Sequence, residues 1–141
     1  MKMKDRPGAR IMRSRILFLS GRPEDARQIS QMVQPLHAMV EHVATLHHAR
    51  AKLREYEYDI VLTEAALPDG NWLDVLHMVR ACAQEPEVLV TDPQADSRLW
   101  SEALNRGVYD VIAQPFYEPE VQRILSNACS RRAGHAAFAV G

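Results

Sequence analysis

The sequence predicts an α/β fold in which one parallel sheet of five strands alternates along the chain with five helices that cover both faces. Three observations carry that expectation. Short runs of apolar or β-branched residues without alternation, of which Ile60-Val61-Leu62-Thr63 is the clearest, mark strands buried on both sides. Between them lie stretches whose apolar residues recur at helical spacing. Connections of only a few residues then require right-handed crossovers, which place the helices on the sheet faces. At 141 residues the chain fits one domain with a sizeable core.

In chain order, Ile16 to Leu19 form the first apolar run, and Ser20-Gly21-Arg22-Pro23 ends it. Pro23, Glu24 and Asp25 suit a helix start, where proline loses no needed N–H and acids meet the positive end of the dipole. Ile29, Met32, Val33 and Leu36 give that helix its apolar face, and Pro35 sits near its end. Residues 39–44 alternate, as an edge strand does, and Thr45 can cap a helix through Leu46, Ala49 and Leu53. The strand ending at Glu64 is followed by Leu67-Pro68-Asp69-Gly70-Asn71, turn chemistry in which Pro fixes φ and Gly permits φ > 0. Leu73, Leu76 and Val79 then mark a third helix.

Val88-Leu89-Val90 is the fourth strand, ended by Thr91-Asp92-Pro93. The fourth helix is expected over residues 96–106, with Leu99, Trp100, Ala103 and Leu104 inward and Gly107 as a left-handed C-cap. Residues 108–112 form the fifth strand, closed by Gln114-Pro115. Pro119, Val121, Ile124, Leu125 and Ala128 define the last helix. Domain organisation reads as a basic flexible leader over 1–14, a folded domain over 15–132 and a flexible tail over 133–141.

The formal net charge of -1 is unevenly spread. Lys2, Lys4, Arg6, Arg10, Arg13 and Arg15 against Asp5 give the first 15 residues +5, which leaves -6 for the rest. A mildly acidic folded part argues against a dedicated nucleic-acid surface. No run approaches the ~20 apolar residues of a membrane span, so the expected location is cytoplasmic, with no membrane contact. Cys82 and Cys129 read as small buried hydrophobes. His37, His42, His47 and His48 lack neighbouring ligands at metal spacing and read as surface histidines.

With these residues in place, the chain resembles the receiver domain of two-component response regulators, over roughly residues 15–131. The likeness rests on the strand ending at Glu64 with Leu67-Pro68-Asp69-Gly70 after it, on Thr91, on Gly107-Val108, and on Pro115-Phe116. It implies a flavodoxin-like doubly wound sheet of strand order 2-1-3-4-5. It also places the family's phosphoacceptor Asp on Glu64, its Mg²⁺-holding acidic pair on Ser20 and Gly21, and its Lys on Gln114. Thr91 keeps the switch hydroxyl, whereas the aromatic switch partner falls on Val111, with Tyr109 as neighbour.

Phosphoryl transfer relies on positioning and on neutralising charge at the equatorial oxygens, normally by Mg²⁺ and a Lys. With one carboxylate left, and Arg22 bringing a cation to the same loop, Mg²⁺ binding is expected to be weak or absent and no residue catalytic. Glu64 is open to two readings. It can act as a permanent charge one methylene deeper than Asp, or as a structural acid paired with Arg22 or hydrogen-bonded to Thr91 and Gln114. A single carboxylate lacks the roughly -2 charge of a phosphate, which favours the second.

Asp69 reads as a turn residue, and Asp92 as a turn cap or a partner of Arg22. Trp100 reads as core. The expectation is a degenerate receiver, not an enzyme, acting by protein contact with a kinase, an output protein or itself. Its face would be the fourth helix, fifth strand and fifth helix, with homodimerisation as one use. The alternative is a phosphoacceptor using Glu64 or a nearby Asp with a displaced metal site.

Overall fold

The computed structural model describes residues 14–140, the side chains of 133–140 excepted. The expected leader, apart from Ser14, lies outside the described residues. Strands β1 (Arg15–Leu19), β2 (Met39–Val43), β3 (Ile60–Glu64), β6 (Glu87–Asp92) and β7 (Asp110–Ala113) form one sheet, and β4 (Ala66–Leu67) pairs with β5 (Gly70–Asn71) in a small hairpin. Helices α1 (Pro23–Val33), α2 (Leu46–Glu55), α3 (Trp72–Arg80), α4 (Ser97–Asn105) and α5 (Glu118–Val140) connect them. The large sheet is wholly parallel, in the order β2-β1-β3-β6-β7. With the hairpin set aside, that is the expected 2-1-3-4-5.

Unbroken apolar strands follow from burial on two faces. Leu17, Leu19, Val61, Val88, Val90 and Val111 pack towards α2, α3 and α4. Ile16, Phe18, Ile60, Leu62, Leu89 and Ile112 pack towards α1 and α5. Each fully buried chain of this size contributes about 1.5–3 kcal/mol. β2 lies at an edge, with Met39 and His42 exposed, Val40 and Glu41 half-buried and Val43 buried. Beyond Ala128 the apolar period fades, yet α5 continues to Val140, through an alanine-rich stretch of high helix propensity. No helix among the described residues is long and apolar enough to cross a membrane.

Polar contacts tie the elements together. Thr45 caps α2 by accepting from the His48 N–H at 3.1 Å, as expected. Asp69 adds a second cap from the hairpin, accepting from the Leu46 and His47 N–H groups at 2.9 and 3.1 Å. The Leu46 N–H and then the His47 N–H hold its carboxyl below the usual range. At α3, Asn71 and Asp74 form a capping box. At the amino end of the sheet, Tyr58, 1% exposed, donates to Glu41, which also accepts from Arg15 at 2.8 Å. The Tyr58 hydroxyl does most to hold the Glu41 carboxyl below the usual range. Arg132 anchors α5 to Asp59 at 2.9 Å. Burial pushes both thiols up, so Cys82 and Cys129 are poor nucleophiles.

Four expectations need correction. Leu104 is 46% exposed rather than inward, because Ala103 occupies the buried position of α4; Leu99 and Trp100 pack against the core as half-buried residues. Tyr109 precedes β7 instead of lying in it, since pairing in that strand starts at Asp110. Gly70 does not take a positive φ. A Cβ there would run into Leu46 and come within 2.6 Å of the Asp74 carboxylate, so close packing excludes a side chain. The fourth concerns Arg22 and appears with the site. Gly107, by contrast, has φ +98° as a left-handed cap, with Arg80 reaching over it to donate to the Arg106 carbonyl.

Candidate functional site

Three of the parallel strands end at one place. Leu19 of β1 leads into Ser20 and Gly21, β3 ends at Glu64 and β6 carries Thr91. Residue 114, one step beyond β7, completes the group. The crevice outside the carboxyl ends of such strands is where open α/β sheets place their sites.

Ser20 is fully buried. Its hydroxyl donates to Glu64 Oε2 at 2.8 Å and accepts from the Arg22 N–H at 3.0 Å. The Gly21 N–H donates to Glu64 Oε1 at 3.0 Å. Both carboxylate oxygens are therefore engaged by the β1–α1 loop. The Ser20 carbonyl lies 2.7 Å from His42 Nε2, and the Ser20 N–H donates to the Val43 carbonyl at 2.9 Å. The loop that clasps Glu64 is thus itself fastened to β2.

On the other side of Glu64, the fully buried Thr91 donates its hydroxyl to the Ile112 carbonyl at 2.7 Å and accepts from Gln114 Nε2 at 3.2 Å. Thr91 and Gln114 are brought together, but they bond to each other rather than to Glu64. Arg22 does not pair with Glu64 or with Asp92. Its exposed guanidinium faces Glu24 at 3.9 Å, because the Ser20 hydroxyl and the Gly21 N–H have already taken the Glu64 oxygens. Asp92 accepts from the Gln94 N–H at 2.9 Å, the expected turn cap. Val111 is fully buried among the residues facing α2, α3 and α4, and Tyr109 lies half-buried under the Arg131 guanidinium, 5.4 Å from its ring centroid.

Sequence reasoning missed Asp25. Its Oδ2 is buried without a hydrogen-bond partner. Burial pushes its carboxyl up, Arg22 opposes this, and Glu64 adds to it. The pattern marked it only as an acid in the first turn of a helix; its nearness to Glu64 depends on how α1 lies over the sheet. The histidines stay apart from any such cluster. His47 and His48 are exposed with rings 5.8 Å apart, and no group of three His, Cys, Asp or Glu residues able to hold a metal occurs among the described residues.

A family model for the response regulator receiver domain matches residues 19–126. A stretch of 94 residues is 29% identical to the swarming motility regulation protein RssB of Serratia marcescens, covering 67% of this chain and 43% of that protein. The chain thus spans less than half the length of this curated relative. Among solved structures, the signal receiver domain of an HD domain-containing protein from Pseudomonas fluorescens Pf-5 superposes with a TM-score of 0.78 at 18% identity, covering 95% of this chain and 97% of that one. The beryllofluoride-activated NtrC4 receiver domain dimer gives 0.77 at 16% identity, covering 84% and 98%. At such identities these two likenesses speak for the fold.

Proposed function

The chain belongs to the response regulator receiver domain family of two-component signalling, and on that premise we propose that it signals by protein contact without a phosphoryl group at the acceptor position. The observation that carries this reading is the clasp on Glu64. Where the family's pattern has acids to hold Mg²⁺, a serine hydroxyl and a glycine N–H point at the remaining carboxylate and bond both of its oxygens. Donors satisfy an anion; they do not ligate a cation.

These residues do not fit Mg²⁺, which takes carboxylate oxygens in near-octahedral geometry. Gln114 supplies no charge and donates to Thr91. The Thr91 hydroxyl is committed to the Ile112 carbonyl. A Thr91 that is already held, beside Val111 rather than a ring, leaves little for phosphorylation to switch. Glu64 then serves as a permanent acid that fastens the β1–α1 loop in one state, a degenerate receiver site.

For partner contact we favour the face of α4, β7 and α5. There Leu104 is 46% and Tyr117 66% exposed, with Tyr109 between them in the chain. A kinase, an output protein or a second copy fits such a surface; the related NtrC4 receiver domain forms a dimer.

Incubation of the whole chain with Mg²⁺ and a small phosphodonor tests the reading by mass spectrometry. The expected result is no adduct. A stoichiometric, base-labile phosphoryl adduct would overturn it. The converse variant combines Ser20→Asp, Gly21→Asp, Glu64→Asp and Gln114→Lys, and is expected to gain Mg²⁺-dependent phosphorylation.

A second reading keeps phosphate acceptance, on Glu64 or a nearby Asp, with a displaced metal site. The unpartnered Asp25 Oδ2 favours it. Mg²⁺ with beryllofluoride discriminates, since a ligand at 100 times its Kd stabilises by about 2.7 kcal/mol. Absence of any thermal shift removes this second reading.

A further inference from the structure

We propose that the furrow between α2 and α3 is a second docking surface, built for an acidic amphipathic helix of a partner protein. It lies apart from Glu64 and from the α4, β7 and α5 face. A hollow of about 540 Å³ opens between the two helices, lined by Arg50, Leu53 and Arg54 on one side and by Asp74, His77 and Met78 on the other. Further hollows continue it at both ends, past His47 and Asp69 in one direction and past Glu55, Tyr56, Glu57 and Pro86 in the other, so the cationic stretch is the middle one. That length suits an elongated occupant. Leu53 and Met78 are half-buried and supply an apolar floor.

The lip of the central hollow is cationic in a folded part that is otherwise acidic. Arg50, Lys52 and Arg54 of α2 stand against Glu55 alone, whereas the chain beyond residue 15 carries a net -6. Neither Arg50 nor Arg54 is ion-paired among the described residues. The one acid of the central hollow, Asp74, accepts from the Asn71 N–H at 3.0 Å and is spent on the α3 cap.

Residues four apart on a helix lie about 6 Å from each other, so Arg50 and Arg54 present two donors one turn apart. Two carboxylates one turn apart on a partner helix, flanking an apolar stripe, match this in charge and in spacing. No described helix of this chain has two acids three or four residues apart, which sets a second copy aside as the occupant.

The probe is a helical peptide of about 16 residues with Glu pairs at i, i+4 and a leucine stripe, titrated into the isotope-labelled full chain and followed by amide shifts. Saturable binding is expected, with the largest shifts at Arg50, Leu53, Arg54, His77 and Met78. Arg50→Glu with Arg54→Glu is expected to weaken it about tenfold or more at low salt while leaving the melting curve in place. A peptide with Lys for Glu is expected not to bind.

The proposal is overturned by no saturation up to about 1 mM peptide, by shifts centred elsewhere, or by an affinity that the double variant leaves unchanged. Equal shifts from inorganic phosphate, or a dimer that buries the furrow, would overturn it too. Phosphodonor experiments on Glu64 bear on none of these outcomes.

Discussion

Ser20→Ala isolates the clasp that distinguishes this site. The serine is fully buried, and its hydroxyl makes a 2.8 Å bond to a carboxylate. Hydrogen bonds to charged groups contribute about 1.5–3 kcal/mol. Glu64 is only half-buried, so water can partly replace the lost donor, and the Gly21 N–H still holds the other oxygen at 3.0 Å. The expected cost is therefore at the lower end, about 1.5–2 kcal/mol.

For a domain of this size each kcal/mol moves Tm by about 4 °C, which gives a drop of roughly 6–8 °C. Urea unfolding followed by circular dichroism should show a lower midpoint at unchanged m. Combined with Glu64→Gln in a double-mutant cycle, the pair should couple by about 1 kcal/mol. A Ser20→Ala variant within about 0.5 kcal/mol of the parent, or strict additivity with Glu64→Gln, would refute the clasp.

Three other perturbations follow from the geometry. Gly107→Ala forces a Cβ into a left-handed position and to within 2.7 Å of the Arg80 guanidinium, so a loss of about 1–2 kcal/mol in chemical unfolding is expected. Asp69→Ala should destabilise at neutral pH. Because the folded carboxyl titrates below its ordinary value near 3.8, that contribution is present above this pH and lost as the pH falls through the folded value. The gap between variant and parent in acid-titrated melts should close accordingly. Tyr58→Phe removes the hydroxyl that does most to lower the Glu41 carboxyl; the Glu41 pKa should rise in an NMR titration and stability fall by about 1–2 kcal/mol.

The fold was legible because two-sided burial leaves a coarse signal. A strand with neighbours on both faces is apolar at nearly every position, and Ile16 to Leu19, Ile60 to Leu62 and Val88 to Val90 are so. Caps were legible where the capping side chain is local, as at Thr45. Asn71-x-x-Asp74 carried the same kind of signal for α3. The cap from Asp69 to α2 was not readable, since its acceptor and donors are 22 and 23 residues apart.

Within the site, sequence alone determined which residue types gather at the strand ends, and so that one carboxylate, a serine, a glycine and a glutamine stand there. Tertiary structure decided what they bond to. A carboxylate's partner is whichever donor the backbone brings within about 3 Å, and β1 beside β3 brings the Ser20 hydroxyl and the Gly21 N–H. Arg22, the cation that composition would pair with Glu64, is left facing Glu24. Gln114 turns to Thr91 for the same reason, and Asp25 gains its place beside Glu64 only through the packing of α1. Strand identity is written in consecutive residues; hydrogen-bond partners across a crevice depend on ångström distances between residues more than 20 apart in the chain.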